Sequence, residues 1–115
     1  MSQDQIITNQ ERLADGIFVT LGGEVDLSRS PELRSALLDL LKTKPQRLVV
    51  DLSGVPYMDS SGVATLVEAL QAQRRHGGKM VLCGLQPKVR SIFEIARLNM
   101  VFTIIEDPAA AKNPA

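Results

Sequence analysis

The chain has 115 residues, 44% hydrophobic and 23% charged, the balance of one ordinary globular domain. Lys plus Arg and Asp plus Glu number 13 each, so net charge leaves no footprint for nucleic acid or acidic lipid. The single cysteine, Cys83, excludes an intramolecular disulfide, and no apolar run approaches a membrane span.

The opening "MSQDQIITNQ" lacks the basic and apolar regions of a signal peptide, so the expected location is cytoplasmic. Ile6 to Leu13 is a candidate first strand with poor alternation. "ADG" (Ala14 to Gly16) reads as a hairpin turn, because Asp-Gly tolerates positive φ. "IFVTL" (Ile17 to Leu21) is β-branched and aromatic and reads as a strand. Gly22 and Gly23 end or bulge it. Ser30 before Pro31 starts a helix, with proline in its first turn. Leu33, Leu37, Leu40 and Leu41 recur with helical spacing, and Lys44-Pro45 stops the run.

"RLVVDL" (Arg47 to Leu52) is a short apolar strand of the kind buried on both faces. "SGVPYMD" leads into a second helix with Val63, Leu66, Val67 and Leu70 inward and "HGG" (His76 to Gly78) as its stop. "KMVLCG" is a strand ending on Cys83, whose role is core. Pro87 opens a third helix with Val89, Ile92, Phe93 and Ala96 inward. "VFTII" (Val101 to Ile105) is the last strand, and "EDPAAAKNPA" is a polar tail expected to fray. The expected organisation is one domain over 1–115, with a core over about 6–105 and a flexible tail over 106–115. The order β-β-α-β-α-β-α-β predicts an α/β fold: a mixed, mostly parallel sheet with an N-terminal hairpin and packed helices. In such a sheet the strand-to-helix loops "GGEVDLSRS", "SGVPYMDSS" and "GLQ" share one rim, where ligands and partners gather. Asp26, Asp59, Ser60 and Ser61 come together there.

Two adjacent serines between an aspartate and a glycine admit three readings. Ser60 or Ser61 can be a helix N-cap. One can be a nucleophile, but the G-x-S-x-G elbow is absent, and the only histidine, His76, lies at the far end of the helix, on the order of 20 Å away. One can be a modification site, since a helix N-terminus offers free backbone N–H groups and the positive end of the dipole to an anion. No metal-ligand cluster, G-x-G-x-x-G or P-loop is present, so no cofactor, metal or catalytic residue is expected.

"VVDLSGVPYMDSSGVATLVEAL" resembles the signature region of STAS domains, in particular the bacterial anti-sigma factor antagonists. "LGGEVDLSRSPELRSAL" is similar to the family's Gly-Glu-Leu-Asp stretch, with Val25 in place of the usual leucine. "GGKMVLCGLQPKVRSIFEIARLNMVFTII" is similar to its closing strand-helix-strand segment. The resemblance implies a regulatory phosphoprotein rather than an enzyme. Its partners would be an anti-sigma factor that is also a serine kinase, and a resetting serine phosphatase, with no direct nucleic-acid or membrane contact. It implies phosphorylation at Ser60 and a partner-binding surface of Asp26, Asp59, Ser60, Ser61 and Gly62. The alternative within the same fold is a STAS subunit of a lipid-transport ABC complex or another STAS signalling module.

Overall fold

A computed structural model describes residues 5–113. The hairpin forms between β1 (Ile7–Leu13) and β2 (Gly16–Gly22), closed by Ala14 and Asp15. Gly16 is required here: a Cβ would lie 1.8 Å from the Arg47 carbonyl oxygen of the neighbouring strand. α1 (Ser30–Leu41) follows, with Pro31 in its first turn as its fixed φ favours. Then come β3 (Arg47–Gly54), α2 (Ser60–Arg75), β4 (Lys79–Cys83), α3 (Pro87–Ile95), a 3-10 turn (Leu98–Met100), β5 (Thr103–Ile105) and α4 (Pro108–Ala111).

The five strands lie in sequence order. β1 is antiparallel to β2, and β2 to β5 run parallel. Crossovers of one hand that always step the same way place their helices on one face of the sheet. The burial agrees. Leu33 and Leu37 of α1, Leu66 and Leu70 of α2, and Val89 and Phe93 of α3 close over Val19, Leu21, Leu48, Val50 and Leu52 in one core. Phe93 meets Phe102 edge-on, with ring centroids 5.6 Å apart. The alternate strand residues Phe18, Val49, Val81 and Cys83 form a smaller cluster on the opposite face. β3 is therefore buried on both sides, which is why its apolar residues do not alternate. Burial raises the Cys83 thiol to about 12, with the charges of Asp51 and Asp107 adding to the effect, so it stays a neutral core group.

Three expectations change. Ala96 is exposed, because α3 stops at Ile95 and Arg97 turns the chain left-handed at φ 59. The last strand begins at Thr103 rather than Val101, since residues 98–100 are taken up by the 3-10 turn. The segment expected to fray, 106–115, carries α4 instead, and its residues 114–115 lie outside the described residues. Asp107 caps it, and Ala111 is buried against the second cluster. Arg47 holds it there: Nη1 donates to the Ala111 carbonyl at 2.7 Å, Nη2 to that of Lys112 at 3.1 Å, and Nε to Asp15 at 2.9 Å. Arg47 is 3% exposed, so its guanidinium donors need partners, and Asp15 with the carbonyls of Ala111 and Lys112 supplies them.

Candidate functional site

The parallel sheet delivers the loops after β2, β3 and β4 to one rim, as the alternation of elements predicts. The first two are stitched together beyond the strands. Gly23 N–H donates to Gly54 O at 3.0 Å, Val25 N–H to Tyr57 O at 2.9 Å, and Asp59 N–H to Val25 O at 3.1 Å. Val25 and Met58 form an isolated parallel bridge, and both are fully buried. The third loop joins through Gln86, whose Nε2 donates to Ser53 O at 2.8 Å.

Asp59 is the N-cap of α2. Its Oδ1 accepts from Ser61 N–H at 2.9 Å, Gly62 N–H at 3.3 Å and the Ser61 hydroxyl at 2.5 Å. Its Oδ2 accepts from Leu27 N–H of the neighbouring loop at 3.1 Å. One carboxylate thus closes a helix and ties down a second loop. Asp26 builds the same local figure one loop away. Its Oδ1 accepts from Ser28 N–H at 3.0 Å, the Ser28 hydroxyl at 2.6 Å and Arg29 N–H at 3.2 Å.

These donors fix the charge of both groups. The Ser61 hydroxyl, then the N–H groups of Gly62, Ser61 and Leu27, hold Asp59 below the ordinary carboxylate value, against an opposing effect of burial. The Ser28 hydroxyl does the same for Asp26, helped by the N–H groups of Arg29 and Ser28; burial and the charge of Asp59 push the other way. A carboxylate with a depressed pKa is a weak base.

The two serines part company. Ser61 is half-buried and its hydroxyl donates to Asp59. Ser60 is exposed, at the first position of α2, and its hydroxyl has no hydrogen-bond partner among the described residues. The capping reading for either serine is replaced by Asp59. The expectation that free N–H groups await an anion here is corrected as well. The N–H groups of Ser61 and Gly62 already bind Asp59, so a phosphate on Ser60 would compete with that carboxylate rather than enter an empty nest. Ser60 and His76 flank opposite ends of a 16-residue helix, and His76 Nε2 lies 3.1 Å from Pro45 O.

Gly62, placed by resemblance on the partner surface, is buried. A Cβ there would meet Met58 Cγ at 2.7 Å, Val25 Cγ1 at 2.8 Å and Val25 O at 3.0 Å. Its hydrogen side chain lets α2 settle against the stitched loops.

Sequence reasoning missed two residues of the rim. Leu27, the middle residue of the Asp26 turn, is 74% exposed. An isolated leucine between two polar residues was a visible signal. Ser30 is buried, and its hydroxyl lies 2.6 Å from Ser61 Oγ and donates to Asp26 O at 2.8 Å. Nothing in the sequence relates positions 30 and 61. With Leu27, Pro31, Ala64 and Thr65, these two serines line a groove of about 450 Å³ between the first turns of α1 and α2.

Among the described residues no helix is long and apolar enough to cross a membrane. The model of the STAS domain matches residues 7–111. The chain is 33% identical over 95 residues to the anti-sigma-B factor antagonist of Listeria monocytogenes, covering 83% of each protein. Its fold is similar to the crystal structure of an anti-sigma factor antagonist from Mycobacterium paratuberculosis, with TM-score 0.82, 24% identity, and 96% and 97% of the two chains covered. It is also similar to the Bacillus cell fate determinant SpoIIAA in its phosphorylated form, with TM-score 0.68, 18% identity, and coverage of 90% and 95%. A five-stranded sheet in sequence order, an antiparallel first strand, an Asp-Ser-Ser-Gly turn into α2 and a family match across nearly all the described residues agree: the chain belongs to the STAS domain family.

Proposed function

We propose that this protein is an anti-sigma factor antagonist, switched by phosphorylation of Ser60. The single observation that carries the reading is the contrast within the serine pair: one hydroxyl exposed and unbonded on the partner-facing rim, the other spent on Asp59. Unphosphorylated, the rim bearing Asp26, Leu27, Asp59 and Ser60 docks on an anti-sigma factor and so frees the sigma factor. The anti-sigma factor is also a kinase. It supplies ATP and the base, because this chain offers none. Ser60 Oγ attacks the γ-phosphorus, the bond to ADP breaks, and the hydroxyl proton leaves to the kinase. A serine phosphatase reverses the modification with water. Phosphate adds about −1.5 to −2 charges beside two carboxylates already held ionised. Like charges at an interface oppose docking. The chain itself acts by binding, not by catalysis.

The reading is supported by the relative from Listeria, an anti-sigma-B factor antagonist, by the neighbour from Mycobacterium, an anti-sigma factor antagonist, and by the Bacillus neighbour SpoIIAA, whose structure is of a phosphorylated form. The test is affinity capture on the tagged chain followed by mass-spectrometric mapping of phosphate. Capture of an anti-sigma factor and phosphate on Ser60 is the expected result. Phosphate on Ser61 with Ser60 bare would reverse the assignment of the pair. Phosphate on neither, with an ABC-type ATPase as the captured partner, would move the protein to the transport-subunit class.

A further inference from the structure

Local geometry alone would nominate the wrong serine. Ser61 Oγ lies 2.5 Å from a carboxylate, the arrangement of a nucleophile beside its base, whereas Ser60 Oγ has no hydrogen-bond partner among the described residues. Resolving this contradiction needs a count of protons. Ser30 and Ser61 carry one hydroxyl proton each. They share three short contacts: Ser61 Oγ to Asp59 Oδ1, Ser30 Oγ to Ser61 Oγ at 2.6 Å, and Ser30 Oγ to Asp26 O at 2.8 Å. The Ser61 proton goes to the charged acceptor, Asp59. The 2.6 Å contact between the two hydroxyls is then bonded only if Ser30 supplies the proton, shared with Asp26 O. Ser61 Oγ therefore donates once and accepts once, inside a protein-lined groove.

We propose that Ser30 is a positioning residue that selects the phosphorylation site: by donating to Ser61 Oγ it lowers that oxygen's nucleophilicity and, with Asp59, holds it in the groove, leaving the unbonded Ser60 hydroxyl as the acceptor. This rests on the reading of the chain as a kinase substrate. The selection is made in the substrate rather than in the kinase. To transfer phosphate to Ser61, its Oγ would have to release the Ser30 proton, give its own to Asp59 and form the bond to phosphorus as the bond to ADP breaks. Asp59 resists the second step, being held below the ordinary carboxylate value by four donors. Ser30 makes the first cost a hydrogen bond. Its own place is secure: it is 6% exposed at the start of α1, where its N–H and hydroxyl both bond Asp26 O.

The experiment compares the wild-type chain, Ser30→Ala, Ser30→Thr, Ser60→Ala and the double variant Ser30→Ala/Ser60→Ala. Each is incubated with Mg-ATP and an extract of the cells that produce the protein, and phosphate is mapped to each serine. Wild type should carry phosphate on Ser60 and Ser60→Ala should carry almost none. Ser30→Ala should raise the Ser61 share on the order of tenfold, the factor for one lost hydrogen bond near a charge. The double variant should be modified on Ser61, and Ser30→Thr, which keeps the hydroxyl, should restore the wild-type pattern. Melting curves confirm that each variant folds. An unchanged Ser61 share in folded Ser30→Ala and in the double variant overturns the inference while leaving Ser60 as the switch. No phosphate on wild type removes the underlying kinase-substrate reading as well. An independent readout needs no kinase: the Ser30 and Ser61 hydroxyl protons should exchange slowly enough to be seen by NMR, and the Ser61 signal should shift in Ser30→Ala. Rapid exchange of both in the wild-type chain would also overturn the proposal.

Discussion

The turns Asp26-Leu27-Ser28-Arg29 and Asp59-Ser60-Ser61-Gly62 are two copies of one local device. In each, an aspartate oxygen accepts from the N–H and hydroxyl of the serine two residues on and from the next N–H, and the middle side chain is thrown outward. They differ in what lies around them. The Asp26 turn is closed by its own residues and stands just before α1, whose N-cap, Arg29, makes no capping side-chain bond. The Asp59 turn caps α2 directly and reaches across to Leu27 N–H and to Ser30. So one turn displays an apolar side chain, Leu27, and the other a hydroxyl, Ser60, and the second holds the first in place. The comparison teaches that an exposed middle residue is a property of the local motif. What that residue can do is set by the neighbours that occupy everything around it.

The strongest way to break the comparison is to put charge on Ser60, the hydroxyl left unbonded in these two turns. Ser60→Asp should fold normally and lose partner affinity by about a hundredfold, since an added like charge at an interface costs several kcal/mol. Ser60→Ala should bind as wild type and resist phosphorylation. Titration calorimetry with the purified partner reads both. Equal affinity for Ser60→Asp and wild type would mean the hydroxyl lies outside the interface.

The second test acts on the residue that closes the α2 turn. Gly62→Ala forces a methyl against Met58 and Val25, and overpacking of this kind costs roughly 1–3 kcal/mol. Denaturant unfolding should show that loss. A variant as stable as wild type would mean that the stitched loops yield easily, and that the two turns are less different than their packing indicates.

Next in size is the asymmetry of the carboxylates themselves. Asp59→Ala removes a helix cap and the tie to Leu27, whereas Asp26→Ala removes only bonds within its own turn. Asp59→Ala should lower Tm by several degrees and Asp26→Ala by clearly less. The reverse order would show that the Asp26 turn, not the Asp59 turn, organises the rim.

The smallest effect is in pH. Both carboxylates have folded pKa values below their unfolded ones, so the unfolded chain binds more protons in the acid range. Their stabilising contribution is fully present above the unfolded value of about 3.9 and is lost as pH falls through the lower folded value. The Tm gap between wild type and Asp59→Asn should therefore be constant near neutrality and shrink in acid. The gap for Asp26→Asn should follow the same course with a smaller amplitude. A gap that does not respond to acid would show that Asp59 acts as a neutral hydrogen-bonding group.

Much of this was legible beforehand. Leucine spacing between residues 33 and 41, Pro31 and Pro87 at helix starts, and the largely apolar strand over 47–52 specify alternating elements, because each period matches only one backbone geometry. That alternation implies a parallel sheet, and a parallel sheet implies a shared rim, so the meeting of Asp26, Asp59, Ser60 and Ser61 follows from the chain itself. The tail was misjudged because its order comes from Arg47, more than 60 residues away, which binds the carbonyls of Ala111 and Lys112. A backbone carbonyl leaves no trace in a sequence.

The sequence by itself thus determined the elements, their order and the presence of two hydroxyls beside a carboxylate at a helix start. Only the tertiary structure decided which aspartate caps, which hydroxyl is spent and which stays free. Secondary structure follows from local periodicity, where neighbours in sequence are neighbours in space. A hydrogen bond is a choice among all groups within about 3 Å, and the group that completes the bonding of Ser61 is Ser30, brought from 31 positions away by the packing of α1 against α2.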